Sequence, residues 1–211
     1  MPDINVAQVI IVFVILVFSL TIHELAHAWT ADRLGDPTAR LLGRVSLNPL
    51  VHADLIGTVV FPLMALVSGV PLIGWAKPVP VNIRLLRRQR RDYVLVAAAG
   101  PASNLVLAFA AATVMSLGAR DAVDGPALPI VLASLLAGAV QINLLLAVFN
   151  MIPIPPLDGG NVLSGLLPRN LAAGFDRIRP YGFLILYALV LTDGYRYLVV
   201  PPYNFLRSWL P

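Results

Sequence analysis

The strongest constraint on the fold is a nearly continuous apolar run over residues 4–20. A helix needs about 20 such residues to cross the ~30 Å hydrocarbon core of a bilayer. No Lys or Arg precedes Arg33, so the run lacks the basic start of a signal peptide. We therefore predict a first membrane helix whose helical character continues to about Asp32.

The composition of the chain also indicates a membrane protein. Of its 211 residues, 58% are hydrophobic and only 12% are charged, and the mean hydropathy is +0.82. A soluble domain usually has about 45–50% apolar and about 25% charged residues. The absence of cysteine excludes disulfides, thiolate metal sites and cysteine nucleophiles. Basic loops on one side of a membrane explain the net charge of +4 better than nucleic-acid binding does.

Further apolar segments follow, separated by Gly, Pro and polar breaks. We expect membrane helices at 93–117, 130–149 and 183–200, and a broken apolar segment at 55–73. Alternation within 34–54, and alternate prolines in WAKPVPVNI, favour short strands or extended backbone. The predicted fold is an all-α polytopic membrane protein with about four to six membrane segments. A small membrane-associated β element is expected between the first helix and the helix that starts near 92.

We predict one domain over residues 1–211, because no repeat, linker or change of composition divides the chain. Its catalytic core is expected at about 5–165 and its C-terminal membrane helix at about 180–200.

The stretch TIHELAHAW, 21–29, places ionisable groups at the end of the first apolar run. It contains the only glutamate of the chain, Glu24, and two of its three histidines, His23 and His27. Residues four apart share a helix face, so the two imidazoles can bind one metal ion, and zinc is the natural ion. Glu24 lies about 100° around the helix, where it can deprotonate a water on the metal without ligating it. A hydrogen-bonded histidine pair is less favoured, because ionisable groups inside a membrane usually serve function.

A catalytic zinc needs a third protein ligand, which here must be His or a carboxylate. Asp158 in PIPPLDGG is the first candidate, because the prolines break the helix there. Irregular backbone at membrane depth survives only where it is buried in protein or lines a wet cavity. His52 and Asp54, in NPLVHADLIGT, are rivals, although for His52 we favour a hydrogen-bonded role over ligation.

These motifs together resemble the site-2 proteases, a family of intramembrane zinc metalloproteases. The family pattern is H-E-x-x-H followed by N-x-x-P-x-x-P-L-D-G, and GPASN, 100–104, is similar to the family's stretch in the intervening helix. LNPLVHADLIGT and GWAKPVPVN are similar to a compact prokaryotic branch, in which a proline is expected where this chain has Leu55. The resemblance covers about residues 15–165. The second motif is matched at Asn150, Pro153, Pro156, Leu157, Asp158 and Gly159.

The resemblance implies an enzyme that hydrolyses a peptide bond within or near the membrane segment of a substrate protein. It implies one zinc ion per chain, held by His23, His27 and Asp158, with Glu24 as the general base. Asn150 is expected to contact the substrate or its oxyanion, and His52 is a second candidate for that role. We expect no inserted PDZ domain and no nucleotide-sensing domain. The alternative is a non-proteolytic scaffold or transporter with a structural metal, which would not need Glu24.

The path of segment 55–73 decides whether the ligands can meet. If it crosses the membrane, the two histidines and Asp158 lie toward opposite surfaces; if it dips in and returns, they lie together. We favour the returning segment. Nearly all basic residues then lie on one side, although a crossing segment would also give an acceptable bias. We expect a multi-pass protein with its active site toward the cytoplasm, and the resemblance implies a prokaryotic cell membrane. The basic run RLLRRQRR, 84–91, indicates contact with the lipid bilayer rather than with nucleic acid.

WAKPVPVNI also suggests how a substrate is held. Successive strand residues present their N–H and C=O groups to alternate edges. Pro78 and Pro80 remove donors from one edge, and the other edge keeps them. That intact edge pairs either with the protein's own sheet or with an unwound substrate. It consists of Lys77, Val79 and Val81.

Overall fold

The computed structural model describes residues 6–68, 75–121 and 129–211. A π-helical segment, Leu55–Val60, runs directly into α3. Short 3-10 turns lie at Pro49–Val51, Ile83–Leu85 and Arg179–Tyr181. The α-helices are α1 (Val6–Arg33), α2 (Thr38–Leu41), α3 (Phe61–Ser68), α4 (Gln89–Asp121), α5 (Ile130–Asn150), α6 (Asp158–Leu166), α7 (Arg169–Asp176), α8 (Gly182–Leu191) and α9 (Tyr195–Arg207).

Three of these helices are long and apolar enough to cross a membrane. Their apolar parts, Gln8–Arg33, Gln89–Gly118 and Ile130–Asn150, have 26, 30 and 21 residues. A bent pair, Arg169–Leu191 and Tyr195–Arg207, with an angle of 81°, would make a fourth span if it counts as one. The predicted helical, multi-pass membrane protein is confirmed. Among the described residues the candidate spans number three, or four if the bent pair is one span, compared with the about four to six expected.

The long helices pack closely because small side chains line their contacts. α4 packs along α1, α5 and α6. Between α4 and α5 the core consists of Ala108, Ala111, Ala112, Val140 and Leu144. Alanines let membrane helices approach each other closely, which favours van der Waals packing. α1, α4 and α5 therefore form a scaffold that can hold side chains from all three helices at fixed distances.

The predicted β element is not found among the described residues between α1 and α4. Part of the alternating stretch in 34–54 instead forms α2, which ends before a turn at Gly43 with φ +70°. Residues 75–82 form neither a helix nor a ladder, and Asn82 has extended backbone angles. Alternation describes which faces a segment could present, and a strand also needs a partner along its length.

The segment that begins at Leu55 enters the protein and returns. Its 6 π-helical and 8 α-helical residues rise by about 1.5 Å each, too little to cross ~30 Å. The N–H of Trp75 donates to the carbonyl of Gly57 at 3.0 Å, and the N–H of Lys77 donates to that of His52 at 2.9 Å. Residues 69–74 lie outside the described part. The two ends of the segment lie side by side, as the returning path requires.

Candidate metal centre

Three side chains that are distant in sequence meet at one point. His23 and His27 come from α1, and Asp158 is the first residue of α6. The two Nε2 atoms are 3.0 Å apart, and Oδ2 of Asp158 lies 3.0 Å from Nε2 of His23 and 3.3 Å from that of His27. With metal–ligand bonds of about 2.0–2.1 Å, neighbouring ligands of a tetrahedral zinc lie ~3.3 Å apart. The three atoms therefore fit the edges of one zinc tetrahedron.

The hydrogen bonds behind the imidazoles show that this group needs a cation. Nδ1 of His27 lies 2.7 Å from the carbonyl oxygen of Val96, which can only accept, so Nδ1 donates. Nδ1 of His23 lies 2.5 Å from Oδ1 of Asn104 and donates to it. Both Nε2 lone pairs then point toward the carboxylate of Asp158. These three acceptors repel one another unless a cation, either a metal ion or an added proton, lies between them.

Asp158 reaches this point because the chain is irregular between α5 and α6. A cis peptide bond joins Pro155 to Pro156, and α6 starts two residues later. A Cβ at Gly159 would collide with the carbonyl of Met151, so the break packs too tightly for a side chain. With no metal bound, the cation here is a proton on an imidazole: burial raises the pKa of Asp158, but the charge of His27 and the hydrogen bonds from both imidazoles outweigh it and lower the pKa to about 2. The carboxyl group is therefore ionised at neutral pH, as a metal ligand must be.

Glu24 lines the cavity that contains the three ligand candidates, and no side chain in the described part of the protein fixes its carboxylate by a hydrogen bond. Its side chain is buried, and its carboxylate makes no hydrogen bond to another described residue. A cavity of about 420 Å³ is lined by Glu24 together with the three ligand candidates. Asn150 also lines it and donates one N–H to the carbonyl of Leu146 at 3.0 Å. A carboxylate in this position can interact with water or substrate in the cavity.

The two rival ligands lie elsewhere among the described residues. Nε2 of His52 donates to the carbonyl of Ser46 at 2.8 Å, and its ring does not line the cavity. Oδ1 of Asp54 accepts the N–H groups of Ile56 and Gly57, which start the π-helical segment. The carbonyl of His52 accepts the N–H of Lys77, which links His52 to the segment 75–82. Direct contact between His52 and a substrate stays a prediction.

Comparison with known proteins decides the class of this site. The model of Peptidase family M50 matches residues 11–125 and 119–192. The chain belongs to peptidase family M50. It is therefore a zinc-dependent membrane peptidase, as the site-2 protease resemblance implied.

Individual relatives of this M50 peptidase bear names of the same kind. YwhC of Bacillus subtilis, provisionally named a zinc metalloprotease, is 38% identical over 196 residues, which cover 90% of this chain and 84% of YwhC. Rip2 of Mycolicibacterium smegmatis, provisionally named likewise, is 32% identical over 178 residues, 83% of this chain and 64% of Rip2. Rip3 of Mycobacterium tuberculosis is 32% identical over 158 residues, which cover only 30% of it. No solved structure gives a match.

The segment 75–82 of the M50 peptidase is anchored at both ends. The guanidinium of Arg44 donates to the carbonyl of Lys77 at 2.5 Å and to that of Pro78 at 3.3 Å. At the other end, the N–H of Asn82 donates to Oδ2 of Asp36 at 2.6 Å. Both backbone groups of Lys77 are thus used inside the protein. Pairing of Lys77 with a substrate stays a prediction, and its N–H would first have to leave the carbonyl of His52.

The backbone groups of Val79 and Val81, between the two anchors of the segment 75–82, make no hydrogen bond to any residue that the structure describes. Val79 and Val81 line the cavity that contains the ligand candidates. Their N–H and C=O groups have no hydrogen-bond partner among the described residues. Half-buried backbone groups normally find a partner, so these can accept one from the cavity.

Sequence reasoning missed several residues that shape the centre. A Cβ at Gly100, on α4, would lie 2.5 Å from Nε2 of His23 and would overlap that of His27. The resemblance related GPASN only to the family's stretch in the intervening helix and did not assign its glycine to the site, where it leaves space beside the two imidazoles. Arg44 and Asp36 were also missed, because nothing local in the sequence links them to residues 77–82.

Proposed function

We propose that this M50 peptidase is an endopeptidase that cleaves a peptide bond within or near the membrane segment of a substrate protein. The observation that supports it best is the unpaired carboxylate of Glu24 in the cavity of His23, His27 and Asp158. A structural metal site has no need of such a group. Zinc, when bound, supplies a Lewis acid that activates water and polarises a carbonyl.

Glu24 would act as the general base. As an ionised carboxylate it can only accept hydrogen bonds, so it orients a water through that water's hydrogen atoms. It takes a proton as the water attacks the substrate carbonyl, and it returns the proton to the leaving amine. Such a group typically contributes about 10²–10⁴-fold to the rate.

Asn150 would stabilise charge on the substrate. One N–H of its amide is held by the carbonyl of Leu146, which restricts the side chain at the wall of the cavity. We propose that its remaining N–H donates to the substrate carbonyl as negative charge develops there. Fixed donors at such a position are effective because they need no reorganisation during the reaction.

The segment 75–82 would hold the substrate as an added strand. A helix hides its carbonyls in its own hydrogen bonds, so a membrane helix must unwind before it can be cleaved. The free backbone groups of Val79 and Val81 line the cavity and can pair with the unwound chain. Anchors at both ends hold the segment in place, which lowers the entropy lost on binding.

We also propose that the site lies toward the cytoplasm. α4 begins within the basic run 84–91, and α1 ends at Arg33. The C-terminus of α1 and the N-terminus of α4 lie on the same side of the helix bundle, so that side carries the basic residues. The histidines lie in the last three turns of α1. An excess of basic residues usually marks the cytoplasmic side.

Replacing Glu24 with glutamine tests this function. An amide cannot take the proton, so Glu24→Gln should keep about one zinc per chain and lower cleavage of a model membrane peptide by about 10²–10⁴-fold. Zinc content of the purified protein and product formation measure the two effects. Asp32→Asn is the matched control, since Asp32 is on the same helix and pairs with Arg40 at 2.8 Å; its cleavage should stay near wild type. Full activity of Glu24→Gln would refute the mechanism.

A further inference from the structure

A chain of buried polar side chains connects three helices behind the metal centre. Asn104 on α4, Asn143 on α5 and Ser19 on α1 are at most 2% exposed. All three lie within candidate membrane spans, where polar side chains are costly and tend to be functional. The proposed mechanism uses none of them.

Which atom donates in each of these hydrogen bonds can be assigned by starting at Asn143, the residue farthest from the metal centre. The carbonyl of Ala139 can only accept, and Nδ2 of Asn143 lies 2.9 Å from it. Nδ2 of Asn143 also donates to Oγ of Ser19 at 2.9 Å. Oδ1 of Asn143 must therefore face Asn104, whose Nδ2 donates to it at 2.8 Å.

The orientation of the Asn104 amide in turn fixes the tautomer of His23, the metal ligand beside it. Because Nδ2 of Asn104 faces Asn143, Oδ1 of Asn104 faces Nδ1 of His23 at 2.5 Å. That oxygen can only accept, so the proton of His23 is on Nδ1 and the lone pair is on Nε2. If the Asn104 amide flipped, its N–H would face Nδ1 and the proton would belong on Nε2, where it would block ligation.

We infer that Asn143 is a positioning residue for the metal: without touching His23, it holds the amide of Asn104 in the orientation that turns Nε2 of His23 toward the metal. This rests on the proposed function only in taking His23 as a ligand. His27 needs no such device, because its Nδ1 donates directly to the backbone carbonyl of Val96. His23 instead depends on the side chain of Asn104, whose Nδ2 donates to Oδ1 of Asn143 at 2.8 Å and, at the longer distance of 3.4 Å, to the carbonyl of Ser19.

Two substitutions of Asn143 distinguish its effect on the orientation of the Asn104 amide from its effect on helix packing. Asn143→Leu removes the acceptor for Asn104 at similar volume. Asn143→Asp, protonated in this buried position, keeps an acceptor oxygen for Asn104 and an O–H that can donate to the carbonyl of Ala139, and the hydroxyl of Ser19 can rotate to donate to the carboxyl group. Residues behind a metal ligand typically contribute about 10–100-fold to metal affinity. We expect zinc binding about 10–100-fold weaker in Asn143→Leu and within about threefold of wild type in Asn143→Asp.

Competition with a chelator measures zinc affinity in the purified full-length protein, and circular dichroism checks its helix content. Gln141→Leu, an exposed position on the same helix, is the control and should bind zinc as wild type does. Wild-type affinity in folded Asn143→Leu, or equal losses in the Leu and Asp variants, would overturn the inference.

A spectroscopic measurement needs no variant. In zinc-loaded wild-type protein with ¹⁵N-labelled histidine, NMR should show His23 bound through Nε2 and protonated on Nδ1. Binding through Nδ1 would overturn the inference even if Asn143→Leu did not fold. Failure of the proposed function would be seen separately, as wild-type protein without zinc or as full cleavage by Glu24→Gln.

Discussion

At the scale of single residues, the metal centre depends on an absent side chain as much as on those present. Gly100 lies where α4 passes the two imidazoles, and any Cβ there would enter the space between them. The glycine is required by this contact and not by its backbone angles, since it lies inside a regular helix. The same helix supplies Asn104, one turn further on, to hold His23.

Gly100→Ala should therefore remove the metal without unfolding the protein. Forcing a methyl group into a packed site costs about 1–3 kcal/mol, and here the displaced atoms are the ligands, so zinc affinity should fall by about tenfold or more. Zinc content and helical circular dichroism measure the two effects. Gly174→Ala in α7, where a Cβ meets nothing within 4 Å, is the matched control. Undiminished zinc in Gly100→Ala would contradict this geometry.

At the scale of elements, the segment 75–82 shows what a local pattern can and cannot predict. Its prolines predicted a backbone that is not helical, and the segment contains no helix. They did not predict the partners, because Arg44, His52 and Asp36 lie roughly 25–46 residues earlier in the chain. Those contacts occupy the ends of the segment and leave Val79 and Val81 free beside the cavity.

Val79→Pro tests whether this element binds the substrate. Proline removes the N–H of residue 79, and residue 79 already precedes a proline, so extended backbone is tolerated there. We expect normal helix content and zinc, with cleavage lowered about tenfold or more. Val79→Ala, which keeps the N–H, separates the backbone from the side chain and should retain most activity. A fully active Val79→Pro would exclude pairing at this position, and a poorly folded, zinc-poor protein would show that the segment serves folding instead.

At the scale of the whole molecule, the returning segment decides which ends of the long helices meet. With 52–57 hydrogen-bonded to 75–77, the chain enters α4 on the side where it left α1. α4 and α5 then cross in turn, which brings the end of α5 and Asp158 back to the histidines. An additional crossing at 55–73 would have separated the ligands by a bilayer.

Single cysteines can verify this topology, because the chain has no cysteine of its own. Leu50→Cys and Lys77→Cys, on either side of the returning segment, should react with a membrane-impermeant thiol reagent from the same side of vesicles. Ile130→Cys, at the other end of α5, should react only from the opposite side. All three positions are exposed, and the cysteine-free parent gives the background. Labelling of residues 50 and 77 from opposite sides would refute the returning path.

The sequence by itself determined the features that depend on near neighbours along the chain. Apolar runs long enough to span a bilayer predicted α1, α4 and α5, because a helix satisfies its own backbone within lipid. The spacing of four between His23 and His27 put both imidazoles on one face, since helix geometry alone sets it. Asp158 was expected because prolines break the helix before it and because the two motifs occur together.

Only the tertiary structure decided what lies between helices. The contact of Asn104 with His23 joins residues 81 positions apart, and that of Asn143 with Ser19 joins residues 124 apart. Which side chain meets which across such distances depends on how each pair of helices packs, and periodicity does not contain that information. The same reason explains why an alternating stretch became no strand and why Gly100 proved to border the metal position. Those contacts exist only once α1, α4 and α5 have come together.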